Sequence, residues 1–352
     1  MFRKSKKKNY KIALLIVSAI LLIFILSALY NLYSEIYSSN TNIAQKDFEF
    51  IYVKTNSDFD DVVKQLEGKK IIKDRESFEW VAEMMHYKKH IHPGKYKITN
   101  NMSNKELVNL LRSGKQTPVV LVFQSIRTKN DFAGVISNQL EADKTELLSL
   151  LNNDDYVKKY GLNSENALVL FIPNTYQIYW NTTAEKFIER MAKEYNKFWN
   201  NDRRKKAGEA GLTLQQVSVL ASIVEQETNM NDEKPIIAGV YLNRIRMNKA
   251  LEADPTLKFA LNDFTIKRIL NKHKSVVSPY NTYANKELPP GPICIPSVSS
   301  ISSVLNYAKH NYIYFCAKED FSGYHNFAKT AEQHLVNAGK YQRKLDEMNI
   351  RK

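Results

Sequence analysis

Residues 213–228 read TLQQVSVLASIVEQET, an apolar and small-residue run that closes on two glutamates, Glu225 and Glu227. Thr213 with Gln216 three residues on is a capping-box signature, so a helix begins at Leu214. At ~100° per residue, Leu214, Val217, Leu220, Ala221 and Val224 form one stripe, with Ser218 and Ser222 opposite. Such a helix is built to be buried, and acids at its end need a reason. Positions i and i+2 point nearly opposite ways, which separates the pair. Glu225 falls beside Ser218 at the stripe's margin, whereas Glu227 falls with Leu220, Ile223 and Val224. Burial and the negative end of the helix dipole both raise the pKa of Glu227. A carboxylic acid still protonated near neutral pH is what a general acid requires. Taken alone, the residue equally suits a helix end turned to water or to an arginine such as Arg244.

At 352 residues the chain accommodates about two domains with appendages. Its 43% hydrophobic and 11% aromatic content is ample for packed cores and excludes wholesale disorder. The net charge of +14 is partly local, because Arg3, Lys4, Lys6, Lys7, Lys8 and Lys11 precede any acid. The remaining excess is diffuse and suits an anionic polymer or membrane surface. No recognition helix, RNP-like strand or zinc-knuckle spacing is present, so nucleic acid is not an expected partner. Ile12–Tyr30 runs nineteen residues without a charge, near the ~20 that span a bilayer core. The run is too long for a signal peptide's apolar region, and no clean cleavage site follows. The basic flank before it and Tyr30 and Tyr33 after it predict a single-pass anchor with a cytoplasmic N-terminus and an extracytoplasmic bulk. Cys294 and Cys316 lack metal-site spacing and read either as one disulfide or as two small buried residues. His325 and His334, nine apart with no third ligand in register, make no metal site. No metal or cofactor is expected.

Along the chain we expect a basic tail (1–11), the anchor (12–33), a polar linker (34–47), a small α+β module (48–116) and a larger domain (117–348). In the module, strands at 48–55 and 92–99 bracket helices at 57–72 and 74–87, and a capped helix at 103–114 follows. Residues 117–160 echo it, since NDFAGVISNQL resembles SDFDDVVKQL, and form a candidate repeat. An amphipathic helix covers 183–201, a second helix 231–247 follows the glutamate helix, and a strand (311–317), a turn and a helix (330–348) close the chain. Five of the ten prolines fall between Pro279 and Pro296, so SPYNTY and LPPGPICIPS are shaped loops.

The ending IVEQETN is similar to the catalytic-helix ending of lysozyme-like soluble lytic transglycosylases, where a Glu followed by Ser or Thr closes a helix. The later half of the chain resembles the YceG-like (MltG) family of membrane-anchored endolytic murein transglycosylases. The residues that carry this are LASIVEQET (220–228), GVYLNRIRMNKALEADPT (239–256), SPYNTY (278–283), LPPGPICIPS (288–297) and YIYFCAKEDFSGYHNFAKTAEQH (312–334). FIPNTYQIYW (171–180) resembles a further family stretch, but Asn174 stands where the family usually carries Asp and Leu168 where a Glu is common.

The resemblance implies an α+β chain with a transmembrane helix, a LysM-like module over 48–116 and a lysozyme-like catalytic domain of mixed helices and short strands. It implies a lyase of the bacterial inner membrane acting on peptidoglycan glycan strands, with wall-synthesis proteins as further partners. The bond cut would be the β-1,4 link between MurNAc and GlcNAc, leaving 1,6-anhydro ends. One glutamate of IVEQET would be the acid and then the base; the helix wheel selects Glu227, with Glu225 as the alternative. Asn243, Arg244, Asp254, Tyr280, Asn281, Thr282, Tyr283 and His325 are candidate substrate-binding residues. A non-catalytic membrane-anchored glycan-binding scaffold and a muramidase remain the competing functions.

Overall fold

The computed structural model describes residues 3–43, 46–266 and 268–348. Met1 and Phe2 of the expected tail, Ala44 and Gln45 of the expected linker, and Lys267 and residues 349–352 lie outside it, as do the side chains of residues 3–9. The chain is of the mixed α+β class and divides into two units. One comprises Met1–Val119 with Gln177–Asn181, the other Val120–Tyr176 with Thr182–Lys352.

The first unit opens with helix α1 (Arg3–Tyr37). Within it Tyr10–Tyr37 is long and apolar enough to cross a bilayer, with a mean hydropathy of 3.1 and its apolar side chains exposed. Strand β1 (Phe48–Val53) pairs antiparallel with β2 (Gly94–Thr99), in register from Phe48 opposite Thr99 to Val53 opposite Gly94. Period-two alternation turns Ile51, Val53, Tyr96 and Ile98 inward. Helices α2 (Phe59–Gly68), α3 (Arg75–Met84) and α4 (Asn104–Arg112) supply the rest of this core, each started by a side-chain cap from Asp58, Asp74 or Ser103. Asn40 and Thr41, read from the sequence as linker, are buried in this unit. The Asn40 amide donates to Asp74 O and Asn104 Oδ1, and Thr41 Oγ1 donates to Thr99 O.

After strand β3 (Val119–Val122), helices α5 (Lys129–Ser137) and α6 (Lys144–Asn152) repeat the strand–helix–helix order of β1, α2 and α3. A short turn of helix α7 (Asp154–Val157), strand β4 (Thr175–Ile178), α8 (Ala184–Phe198) and α9 (Asn201–Ala210) follow. Helix α10 (Leu214–Glu227) is the core of the second unit, and Thr213 and Gln216 close the expected capping box at its start. It packs against α11 (Lys234–Arg246), α12 (Asp254–Ala260) and α14 (Val298–Leu305); the short α13 (Asn271–Lys274) lies between the last two in sequence. Strands β5 (Tyr314–Ala317) and β6 (His325–Ala328) form an antiparallel pair beside α15 (Ala331–Glu347).

From Val217 to Val224 helix α10 is buried on every side, because Ser218 and Ser222 are as buried as the apolar residues around them. The proline loop covers the serine side: Ser222 Oγ donates to Val219 O and accepts the Ile293 N–H at 3.0 Å. Gly239 lets α11 approach the 308–310 loop, where any Cβ would sit 2.4 Å from Ala308 O. Helices α9, α12 and α14 have no counterpart in the sequence reading. The FSGYHNF stretch (321–327), expected to be a turn, ends in the first three residues of β6. Ser222→Ala leaves the Ile293 N–H buried without a partner and is expected to lower unfolding free energy by about 1–3 kcal/mol, measured by urea denaturation in detergent micelles. Ser275→Ala, on an exposed turn, is expected to stay within about 0.5 kcal/mol of the parent.

Candidate active site

The two glutamates end in different chemical environments. Glu225 Oε2 accepts hydrogen bonds from Ser297 Oγ at 2.6 Å, from Ser300 Oγ and from Lys234 Nζ at 3.2 Å, while Ser125 Oγ donates to Oε1. Burial alone would raise its pKa, but the two hydroxyls and the lysine outweigh burial and hold it below the usual carboxylate range. Lys234 is itself only 7% exposed, so Glu225 completes a buried ion pair.

Glu227, the last residue of α10, turns instead into a cleft of about 410 Å³. Arg244, Glu252, Asp254, Tyr283, His325 and His334 line that cleft with the β5 stretch Tyr314–Ala317. Its Oε1 accepts a 2.5 Å hydrogen bond from Tyr241 Oη, which is buried on α11. Desolvation, opposed by that bond and reinforced by the neighbouring Asp254 charge, pushes the Glu227 carboxyl up to about 7. Asp254 is held by Tyr283 Oη, which donates to its Oδ1 at 2.6 Å. Each of the two carboxyl groups is thus fixed by one tyrosine.

The cleft walls are braced by Arg244, which is 7% exposed. Its guanidinium donates to Ile313 O, Leu251 O and Glu252 Oε2, tying α11 to the approach to β5 and to the 250–252 segment. His325 is oriented from behind by Glu233, which is 4% exposed. One Glu233 oxygen accepts the His325 N–H at 2.8 Å, and the other lies 2.9 Å from Nδ1. That leaves Nε2 as the ring nitrogen free to face the cleft. Phe315 stands edge-on to both Tyr241 and His325.

Of the residues singled out from sequence, Arg244, Asp254, Tyr283 and His325 gather in the cleft with Glu227. The others brace the loops around it. Asn243 Nδ2 donates to His310 O and Tyr312 O. Tyr280 bonds Glu165, and Asn281 holds Lys274 O and Val276 O. Thr282 Oγ1 meets Thr256 Oγ1 and accepts the Ala253 N–H in a fully buried position. Cys316 lines the cleft and Cys294 is buried, and the two thiols are not bonded to each other. Leu168 is buried, and Asn174 is exposed with Oδ1 capping the Thr175 N–H. Tyr241, Glu233 and Glu252 escaped the sequence reading, and His334 entered it only as a rejected metal ligand. Tyr241 lies within the GVYLNRI motif, but its pairing with Glu227 depends on how α11 crosses α10.

Residues 51–340 match the model of the YceG-like family. Over 83% of its length the chain is 25% identical to a protein of Bacillus subtilis (strain 168) named endolytic murein transglycosylase, covering 84% of that relative. It is 24% identical over 84% of its length to the protein of that name from Streptococcus pneumoniae serotype 2 (strain D39 / NCTC 7466), of which it spans 59%. A crystal structure of a putative YceG-like protein from Listeria monocytogenes superposes with a TM-score of 0.57 at 26% identity, covering 83% of this chain and 99% of that one. With its family motifs folded around one glutamate-bearing cleft, the chain belongs to the YceG-like family.

Proposed function

We propose that the chain is an endolytic murein transglycosylase, a lyase cutting the MurNAc-β-1,4-GlcNAc bond of peptidoglycan strands with Glu227 as acid and then base. The observation that carries this is a single carboxyl, raised to about 7, at the floor of a polar cleft. Protonated Glu227 gives its proton to the glycosidic oxygen as the C1–O bond breaks. The resulting carboxylate takes the proton of the MurNAc C6 hydroxyl as O6 bonds to C1, which closes the 1,6-anhydro ring and restores Glu227. A nucleophile already tethered near C1 needs no second acid to activate water. Tyr241 steadies Glu227 while it is ionised, and Asp254 favours its return to the protonated form. The names of the relatives support the same reaction class.

The apolar helix supports a single-pass anchor with a cytoplasmic N-terminus and an extracytoplasmic bulk. The β1–α2–α3–β2 order supports a LysM-like reading of the first module, with glycan strands as its ligand. A second reading rests on Asp254: a further carboxyl group beside Glu227 in one cleft also suits a muramidase.

Digestion of sacculi by the full chain is expected to yield anhydro ends by mass; reducing ends would mark the muramidase instead, and intact strands a scaffold. Glu227→Gln is expected to reduce turnover ~10²–10⁴-fold. Glu225→Gln should act mainly on stability, by about 3–5 kcal/mol, because it strands the buried Lys234 charge, and turnover per folded molecule should persist. Since Glu227 must start protonated, turnover is expected to be flat at acid pH and to fall as pH rises through about 7. Tyr241→Phe removes a donor that favours the carboxylate and should move this limb to higher pH. Asp254→Asn removes a like charge and should move it to lower pH. Both shifts are read from initial rates across pH.

A further inference from the structure

A second, smaller hollow opens on the neighbouring side of the same helix end. It holds about 60 Å³ and is lined by Arg127, Gln226, Pro255, Lys258, Phe264 and Ile293. Adjacent residues divide between the two spaces, with Glu227 and Asp254 in the cleft and Gln226 and Pro255 in the hollow. Successive helix positions point ~100° apart, so the end of α10 forms a ridge with the cleft on one flank and the hollow on the other. A strand seated on Glu227 would therefore carry any short branch past the hollow.

Charge defines what fits there. Arg127 lies over Phe264, its guanidinium carbon 4.5 Å from the ring centre, and spends one donor on Gln226 Oε1 at 2.9 Å. Among the described residues its other four N–H donors find no partner. Among the described residues neither Arg127 nor Lys258 is in an ion pair. Asp254, the acid four residues before Lys258, is held by Tyr283 instead. The hollow has two cations, an aromatic floor that preorganises one of them, and no acid in its lining.

We propose that Arg127 and Lys258 bind a carboxylate carried by the peptide branch of the muramic acid residue, making the hollow a specificity subsite for peptide-bearing strands. This rests on the glycan reading of the cleft. A planar guanidinium matches a carboxylate bidentately, and the lysine adds a point charge at the side.

The test uses the full chain in detergent micelles with Glu227→Gln, so that strands bind without being cut, and reads Kd by calorimetry. Three soluble glycan strands are compared: peptide-bearing, peptide-bearing with carboxylates converted to amides, and stripped of peptide so that only the lactyl carboxylate remains. The native strands are expected to bind about tenfold tighter than either of the others, as charge-assisted hydrogen bonds would give. Arg127→Gln and Lys258→Gln, each checked for an unchanged melting temperature, should bring the native-to-amidated ratio toward one. Equal affinity for native and amidated strands, a ratio that survives both substitutions, or stripped strands binding like native ones would each overturn the proposal. If only the role of Glu227 is wrong, the strands shorten during the titration while the affinity ratio stays.

Discussion

The guanidinium of Arg244 is the contact on which the cleft depends. It is nearly removed from water, and a buried charge is tolerated only when its donors are used. Here they are used on the backbone at Ile313 and Leu251 and on the Glu252 carboxylate. Those partners come from separate stretches of chain, so one side chain holds the lead into β5 and the segment before α12 against α11. Without it, the wall carrying Phe315 and His325 would lose its buried charged tie to α11 and keep only those made by Asn243 and Glu233.

Within that frame the environments of the two glutamates shift their ionisation in opposite directions. Both are carboxylates near the end of one helix, two residues apart. Glu225 meets two hydroxyls and an ammonium group, so its ionised form is favoured and it closes a buried ion pair. Glu227 is desolvated and feels the charge of Asp254, which together outweigh the Tyr241 hydrogen bond, so its neutral form is favoured. The difference follows from helical geometry, because a two-residue offset turns the side chains to different neighbours. The same geometry splits Gln226 from Glu227 and Pro255 from Asp254, and so sets the polar cleft beside the cationic hollow.

The buried serines of α10 carry a parallel point about packing. A serine in a helix core must satisfy its hydroxyl locally or through a neighbour. Ser222 does both, and the partner it finds is the proline loop, whose own backbone N–H groups few regular elements could reach. The rigid loop and the small polar face fit each other, and this contact anchors the segment leading to α14, the helix whose serines hold Glu225.

Much was determined by sequence alone. The capping box of α10, the divergence of Glu225 and Glu227 on the wheel, the apolar length of α1 and the alternation of β1 and β2 are local properties with fixed periods, and they survive into the fold. Pattern cannot determine which residues meet across a hundred positions. Tyr283 and Asp254 were both singled out, but their bond to each other required the loop to fold back on α12. Tyr280, Asn281 and Thr282 carry the same chemistry as Tyr283 and turn inward to brace the loop instead. Tyr241 and Glu233 looked like ordinary helix residues. Their roles came from tertiary structure, because the pKa of a carboxyl and the aim of an imidazole depend on what is packed beside them rather than on what precedes them in the chain.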